Sequence, residues 1–197
     1  MVISCIGDSL TQGDYGIKGK RGIANVQKEN YPYFLQQLLQ CEVRNFGKCG
    51  FKASNYLAYY RTGAVDVKNS NFIIVLLGTN GGFDLLAETA DNNDFNTLLD
   101  LLRQDAPQAK VLLCTPPHCT ENPNYSNCGY AEQVAKATDF IRNYAAKNGY
   151  RLIDLALAPE FTAESEAVMQ PNDGLHFGKL GYQTLADIIA KEVRAAR

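Results

Sequence analysis

Short apolar segments alternate with helix-like segments along this chain, and the alternation constrains the fold more than any other feature. The segment Phe72–Leu77 is apolar throughout rather than at every second position, which is typical of a strand covered on both faces. Strands that alternate with helices pair in parallel through right-handed crossovers. The predicted strands are Val2–Ile6, Glu42–Phe46, Phe72–Leu77, Lys110–Thr115 and Arg151–Leu155.

Helical periodicity occupies the intervals between the predicted strands. Tyr31–Leu39 and Ser54–Arg61 are two such segments, and three longer ones have apolar faces that include Leu98, Ile141 and Ile189. Helices between parallel strands cover both faces of a sheet. The sequence therefore predicts an α/β fold, a three-layer α/β/α sandwich with a five-stranded parallel sheet.

The chain is predicted to form a single domain. It has 197 residues, which is enough to bury a substantial core, and it contains no internal repeat, low-complexity tract or linker. The predicted domain therefore spans residues 1–197.

Charge and hydropathy exclude several classes of function. The formal net charge is −2 and no cluster of Lys and Arg occurs, so nucleic-acid binding through phosphate neutralisation is not expected. The longest strongly apolar run, Phe72–Leu77, is too short to cross a bilayer. Strand-like residues begin at Val2 without a basic and then apolar leader, which predicts a cytoplasmic protein unless a leader was trimmed from an exported one.

The six cysteines do not suggest a disulfide scaffold or a metal site. Cys5 and Cys114 lie in predicted strands, where a free cysteine behaves as a small hydrophobic residue. Cys119 and Cys128 bracket a loop and can pair if the protein is exported. The chain has no C-x-x-C motif and no paired histidines, so we predict no metal and no cofactor.

Polar, glycine-bearing segments follow the predicted strands, at the edge where parallel sheets bind ligands. The first is Gly7-Asp8-Ser9-Leu10, directly after the first strand. Two long loops, Thr11–Asn30 and Pro116–Gly129, begin at the same edge. These features predict a binding or catalytic site around Ser9.

A serine nucleophile needs an imidazole base, a carboxylate that orients the base, and donors for the oxyanion. The chain has two histidines, and His176 follows Asp173 by three residues, a spacing that lets the carboxylate reach Nδ1 within one turn. His118 lacks such a carboxylate, since Glu121 follows it in an irregular loop; we expect His118 to be an exposed loop residue. Gly50 can offer a backbone N–H, and Asn80 a side-chain amide.

Four blocks of the chain together resemble the GDSL, or SGNH, hydrolase family. Gly7-Asp8-Ser9-Leu10 matches the nucleophile block, and Gly50, five residues after Asn45, matches the spacing of the oxyanion glycine better than Gly47 does. Gly78-Thr79-Asn80 and Asp173-x-x-His176 match the last two blocks.

The resemblance implies a flavodoxin-like sandwich and a serine esterase without a cofactor. It assigns Ser9, Asp173 and His176 as the catalytic triad, and Ser9, Gly50 and Asn80 as the oxyanion hole. The chain departs from the family at one position: Gly81 follows Asn80, where members often have Asp. A hydrogen bond that steadies this turn is therefore either missing or supplied from elsewhere.

Each motif also has a structural interpretation when taken alone. Ser9 can be a helix N-cap, Asp173 and His176 a helix start, and Gly50 and Asn80 ordinary turn residues. The segment Gly16–Gly22 fits neither phosphate-loop pattern and is interpreted as a rim loop. Asp14 and the tyrosines Tyr15, Tyr56, Tyr59 and Tyr60 can line a sugar-binding surface, although the tyrosines can equally belong to the core.

The function that we predict from these motifs is hydrolysis of carboxylic esters through an acyl-serine intermediate. Polar residues in the two long loops favour short acyl groups, plausibly acetyl esters on a small-molecule or carbohydrate substrate, because a lipase needs an apolar surface for the acyl tail. The alternatives are a lysophospholipase or thioesterase of the same family, or a non-catalytic flavodoxin-like binding module. A binding module does not need a serine paired with Asp-x-x-His.

Overall fold

The computed structural model describes residues 1–17 and 28–197, and its centre is a five-stranded parallel sheet. The strand order is β2-β1-β3-β4-β5, which is the flavodoxin-like order. This arrangement confirms the predicted fold class. The strands are β1 (Val2–Gly7), β2 (Glu42–Gly47), β3 (Phe72–Leu76), β4 (Lys110–Cys114) and β5 (Arg151–Ile153).

Helices fill the intervals between the strands. The helices are α1 (Ser9–Gln12), α2 (Tyr31–Leu39), α3 (Ala53–Arg61), α4 (Ala90–Asp105), α5 (Ala131–Asn148), α6 (Glu166–Met169) and α7 (Lys179–Ala195). Within residues 1–17 and 28–197, none of them is long and apolar enough to span a membrane.

Two separate apolar cores lie on the two faces of the sheet, so the sandwich has three layers. Successive residues of β3 point to opposite faces: Ile73 belongs to one core and Ile74 to the other. Helices α3, α4 and α5 cover the first face, whereas α2 and α7 cover the second. The unbroken apolar run of β3 follows from this double coverage.

The helix marked by Leu98 begins earlier than its apolar face indicated. Its first residue is Ala90, because the Thr89 side chain caps the helix by accepting a hydrogen bond from the Asn92 N–H at 3.0 Å. The first helical turn is polar, so it carries no apolar periodicity. The four-residue helix α6 was not predicted for a related reason, since it is too short to show a repeat.

All six cysteines lie in the described part of the chain and are free. Cys5 and Cys114 are buried in the sheet as predicted. Cys119 and Cys128 are not bonded to each other, and the Cys119 thiol points towards the carbonyl of Asn127 at 3.7 Å. The pairing that the sequence left open is absent from this structure.

Candidate active site

Ser9 lies at the junction of β1 and α1, where the strand turns directly into the helix. Asp8, not Ser9, is the N-cap of this helix: its Oδ1 accepts a hydrogen bond from the Leu10 N–H at 3.0 Å. The N-cap interpretation of Ser9 is therefore wrong. Ser9 is the first helical residue, and its side chain is buried but is not needed to cap α1.

Close packing places α1 directly over the ends of β1 and β2. A Cβ on Gly47 would lie 2.1 Å from the Gln12 nitrogen, so a larger residue there would push the helix away from the sheet. The Asn45 side chain bridges the same two segments, donating to the Thr11 carbonyl at 2.9 Å and accepting from the Gly47 N–H at 2.9 Å. Ser9 is thus fixed relative to the loop that follows β2.

His176 connects Ser9 to Asp173 in one hydrogen-bonded chain. The Nε2 atom of His176 lies 2.8 Å from Ser9 Oγ, and Nδ1 lies 2.7 Å from Asp173 Oδ2. A carboxylate can only accept a hydrogen bond, so Nδ1 carries the hydrogen and the Nε2 lone pair faces the serine hydroxyl. The structure therefore brings these three residues together in the arrangement that a serine nucleophile requires.

The Asp173 carboxylate is held from several sides. Its Oδ1 accepts from the N–H groups of Leu175 at 3.0 Å and His176 at 2.8 Å, so the side chain folds back over its own loop. The Gln170 amide donates to the carbonyls of Leu175 and His118, which ties this loop to the one after β4. Sequence reasoning missed Gln170, because its partners are backbone groups and the contact to His118 is distant in the chain.

Charges around the site raise the pKa of His176 above its ordinary value. Burial of the imidazole by itself lowers this pKa, but the hydrogen bond and charge of Asp173 and the charges of Asp14 and Asp8 outweigh that effect. Asp14, which the sequence suggests as part of a sugar-binding surface, is buried near His176. The three carboxylates favour an imidazolium, which is the form that His176 takes when it accepts a proton.

Asp8 is a second titratable group in the site. Its side chain is fully buried, and burial raises the pKa of Asp8 to about 6, although hydrogen bonds from Leu10 and Thr79 and the charge of His176 oppose the shift. The Asp8 Oδ2 atom is buried without a well-formed hydrogen bond among the described residues. Asp8 is therefore a second group, besides His176, whose protonation can change the charge of the site.

The loop after β2 carries Gly50 at the edge of this site. Its start is held by the Gln12 side chain, which accepts a hydrogen bond from the Cys49 N–H at 2.6 Å. Gly50 has a φ of +75°, and no described atom lies within 4 Å of the position a Cβ would occupy. Gly50 is exposed, and its backbone is open on the side where a Cβ would lie.

Asn80 lies in the turn after β3, next to the Gly50 loop. Its Nδ2 donates to the Phe51 carbonyl at 3.1 Å, which uses one of the two amide hydrogens. No partner for the second hydrogen is present among residues 1–17 and 28–197. The hydrogen bond from Asn80 to Phe51 therefore connects the turn that carries Asn80 to the loop that carries Gly50.

The remaining sequence-based candidates do not take part in this arrangement. His118 is not the exposed residue that we expected: only 23% of its side chain is accessible, and its Nε2 lies 3.6 Å from Glu166 Oε2. Tyr56 and Tyr60 are buried core residues rather than a sugar-binding surface. Much of the loop Thr11–Asn30, including the segment interpreted as a rim loop from Lys18 onward, lies outside the described residues.

The described residues contain no group of three or more His, Cys, Asp and Glu side chains that could hold a metal ion. The hydrogen-bonded serine, imidazole and carboxylate suit nucleophilic attack on an acyl carbon.

Comparison with known proteins gives a family match over most of the chain. The sequence model of the GDSL-like lipase/acylhydrolase family matches residues 5–184. An isoamyl acetate-hydrolyzing esterase from Schizosaccharomyces pombe is 27% identical over 202 residues, covering 98% of this chain and 75% of that protein.

Solved structures share the fold at low sequence identity. An aryl esterase from M. smegmatis superposes with a TM-score of 0.73 at 19% identity, covering 98% of both chains. A carbohydrate acetylesterase from Sinorhizobium meliloti superposes with a TM-score of 0.72 at 17% identity, covering 100% of this chain and 99% of the other. At such identities the similarity establishes the fold alone.

Proposed function

The chain belongs to the GDSL-like lipase/acylhydrolase family and is a carboxylic ester hydrolase, and we propose that it cleaves short-chain esters through an acyl intermediate on Ser9. The observation that carries the proposal is the continuous hydrogen-bonded chain from Ser9 through His176 to Asp173. A non-catalytic binding module would have no use for a serine hydroxyl held against an oriented imidazole. That alternative is disfavoured for this reason.

In the first half-reaction, Ser9 Oγ attacks the ester carbonyl carbon while its proton passes to His176 Nε2. The electron pair of the carbonyl moves to oxygen, giving a tetrahedral oxyanion, and the imidazolium is stabilised by Asp173. Collapse of this intermediate breaks the bond to the alcohol, which takes the proton from His176. An acyl-Ser9 ester remains.

In the second half-reaction, a water molecule replaces the alcohol. His176 accepts a proton from the water as its oxygen attacks the acyl carbon, and the proton returns to Ser9 Oγ when the carboxylic acid leaves. The oxyanion of each step would be bound by the N–H groups of Ser9 and Gly50 and by the Asn80 amide. The N-terminus of α1 also favours negative charge there.

We propose that the whole chain acts as one hydrolase domain. The two partners of the central hydrogen bond, Ser9 and His176, are separated by 167 residues, so the site needs both ends of the chain. Helices α2 and α7, which pack against one another on one face of the sheet, hold these ends together.

Replacement of Asn80 with alanine should reduce kcat about 10²–10³-fold, as is typical for the loss of one oxyanion donor. The KM should change little, because the donor binds oxygen mainly in the transition state. Steady-state kinetics with p-nitrophenyl acetate measures both constants. Asn93→Ala, at an exposed position of α4, is the matched control and should leave kcat unchanged. A raised KM with a normal kcat for Asn80→Ala would instead make Asn80 a ground-state contact.

We propose acetyl and other short acyl esters of a hydroxyl-rich alcohol as the preferred substrates. The loop after β4 presents exposed polar side chains rather than a continuous apolar surface, namely Glu121, Asn122, Asn124 and Ser126, whereas Thr120 at its base is buried. The yeast relative is named for acetate ester hydrolysis, and one structural neighbour is a carbohydrate acetylesterase, which supports the same substrate class.

Activity should fall from acetyl to octanoyl across a series of p-nitrophenyl esters. In an enzyme with a tail pocket each buried CH₂ contributes about 0.8 kcal/mol, so activity would rise with chain length. Measuring kcat/KM for each ester distinguishes the two cases. A maximum at eight carbons or beyond would exclude the short-acyl proposal and favour a lysophospholipase or thioesterase.

A further inference from the structure

The turn that carries Asn80 has little conformational preference of its own. Gly78, Gly81 and Gly82 surround Asn80 with φ angles of 124°, 73° and 94°, all in the left-handed half of the Ramachandran plot. Glycine adopts these angles readily but also adopts many others. A hydrogen bond from Gly81 to Gly78 closes the turn, yet contacts from outside are needed to hold Asn80 in one position.

Asp91 supplies such a contact from the first turn of α4. Its side chain is buried, and Oδ2 lies only 2.1 Å from the position that a Cβ on Gly82 would occupy, so the carboxylate packs directly on the glycine. The other oxygen, Oδ1, accepts a hydrogen bond from the Ser54 N–H at 2.8 Å. The carboxylate therefore lies between the Asn80 turn and the start of α3.

The segment at the start of α3 is the one that presents the other proposed oxyanion donor. Gly50 and Phe51 directly precede this helix, and the Phe51 carbonyl accepts the hydrogen bond from Asn80. Asp91 therefore makes a second connection between the Asn80 turn and the segment of Gly50 and Phe51. It does so through Gly82 in the turn and Ser54 in α3. Two links between the segments define their separation better than one.

The charge of Asp91 is well placed for this role. It lies in the first turn of α4 and bonds to the first turn of α3, and helix N-termini stabilise a carboxylate.

Gln133 holds the turn from the opposite side. Its Nε2 donates to the Thr79 carbonyl at 3.0 Å, and its side chain occupies the space next to Gly81. Unlike Asp91, Gln133 does not bond to the α3 segment in the structure described. Besides the hydrogen bond from Asn80 to Phe51, the contact between the two donor segments is made by Asp91.

We propose that Asp91 is a positioning residue that sets the distance between the oxyanion donors Asn80 and Gly50. The proposal rests on the proposed ester hydrolysis, because it assigns Asp91 a role in that reaction. Asp91 touches neither Ser9 nor His176 in the described contacts; it acts through the Asn80 turn.

Asp91→Ala should reduce kcat on p-nitrophenyl acetate about 10–100-fold with KM within about twofold of the wild type, because a displaced donor weakens binding of the transition state. Asp91→Asn keeps the shape and the acceptor for Ser54 and should recover most of the lost kcat. Asp100→Ala, at an exposed position of the same helix, is the matched control. Melting curves of all variants report whether each is folded at the assay temperature.

A double-mutant cycle separates positioning from a general structural role. If Asp91 acts through Asn80, Asp91→Ala should cause almost no further loss of kcat in an Asn80→Ala background. The proposal would be overturned if the kcat losses of Asp91→Ala and Asn80→Ala multiplied fully in the double variant. It would also be overturned if Asp91→Ala raised KM and left kcat unchanged. If Asp91→Ala does not fold, Asp91→Ser takes its place in the cycle, because its short side chain cannot reach both Gly82 and Ser54. A wild-type protein without esterase activity would overturn the proposed function, whereas an active wild type with normal Asp91 variants would overturn this proposal alone.

Discussion

Ser9→Ala should fold normally and lose kcat/KM on p-nitrophenyl acetate by roughly 10⁴–10⁶-fold. The loss is expected because Ser9 is the one serine in the described part of the chain that is hydrogen-bonded to an imidazole. The residual rate would come from the oxyanion donors and substrate binding alone. Folding should be preserved because Asp8 provides the N-cap of α1. A melting curve beside the kinetics checks both parts of the prediction.

A fluorophosphonate probe tests the same assignment without a substrate. It should add one adduct to the wild-type protein, on the peptide that contains Ser9, and none to Ser9→Ala. Ser126→Ala, at an exposed position in the loop after β4, is the control and should label normally. An adduct on any other serine, or undiminished turnover by Ser9→Ala, would refute Ser9 as the nucleophile.

His176→Ala should lose nearly as much activity as Ser9→Ala, since the two residues act as one unit. His118→Ala is a matched control, because it removes the only other histidine in the chain and should change kcat/KM less than about tenfold. His118 faces Glu166, and its link to the site is the bond from Gln170 to its backbone carbonyl, which the substitution retains. The reverse ranking of the two variants would refute His176 as the base.

The pH profile tests the protonation state of His176. The base must be neutral to accept the Ser9 proton, so kcat/KM should rise as pH increases through an apparent pKa. Because Asp173, Asp14 and Asp8 raise the pKa of His176, the midpoint should lie above the ordinary histidine value of about 6.5. A midpoint clearly below that value would contradict the electrostatic arrangement described for the site.

Asp8 complicates this profile, because its pKa of about 6 places it in the same range. Asp8→Asn distinguishes the two groups and preserves the cap, since Asn is also a good N-cap residue. The rise of kcat/KM with pH should persist in this variant, and its midpoint should move to slightly lower pH, because one negative charge near His176 is gone. If the rise disappeared, the titrating group would be Asp8 instead of His176.

The fold was predictable because it depends on local patterns. The uniform apolar run Phe72–Leu77 indicates a strand covered on both faces, and the intervening helical periodicity leaves little choice other than a parallel sheet with two helical layers. Element ends were less predictable. The polar first turn of α4 depends on the Thr89 cap, and a polar turn carries no apolar repeat.

The candidate site was predictable where its members are close in the chain or belong to a recognisable block. The spacing of Asp173 and His176 already implies their contact, and the structure has it at 2.7 Å. The contact of His176 with Ser9 was expected only from the order of the blocks, since 167 residues separate the two. Their catalytic roles remain predictions for the experiments above.

By itself, the sequence determined the sheet, its two helical layers and the small set of residues that meet at its carboxyl edge, because periodicity and motif spacing are local properties of a chain. Only the tertiary structure decided that Asp8 caps α1, that Tyr56 and Tyr60 are core, and that Asp91 bridges the Asn80 turn and α3. The same holds for the pKa values of His176 and Asp8, which depend on burial and on carboxylates brought from other segments. Such contacts join residues whose separation along the chain has no fixed value, so no sequence pattern encodes them, and they form only when the layers pack.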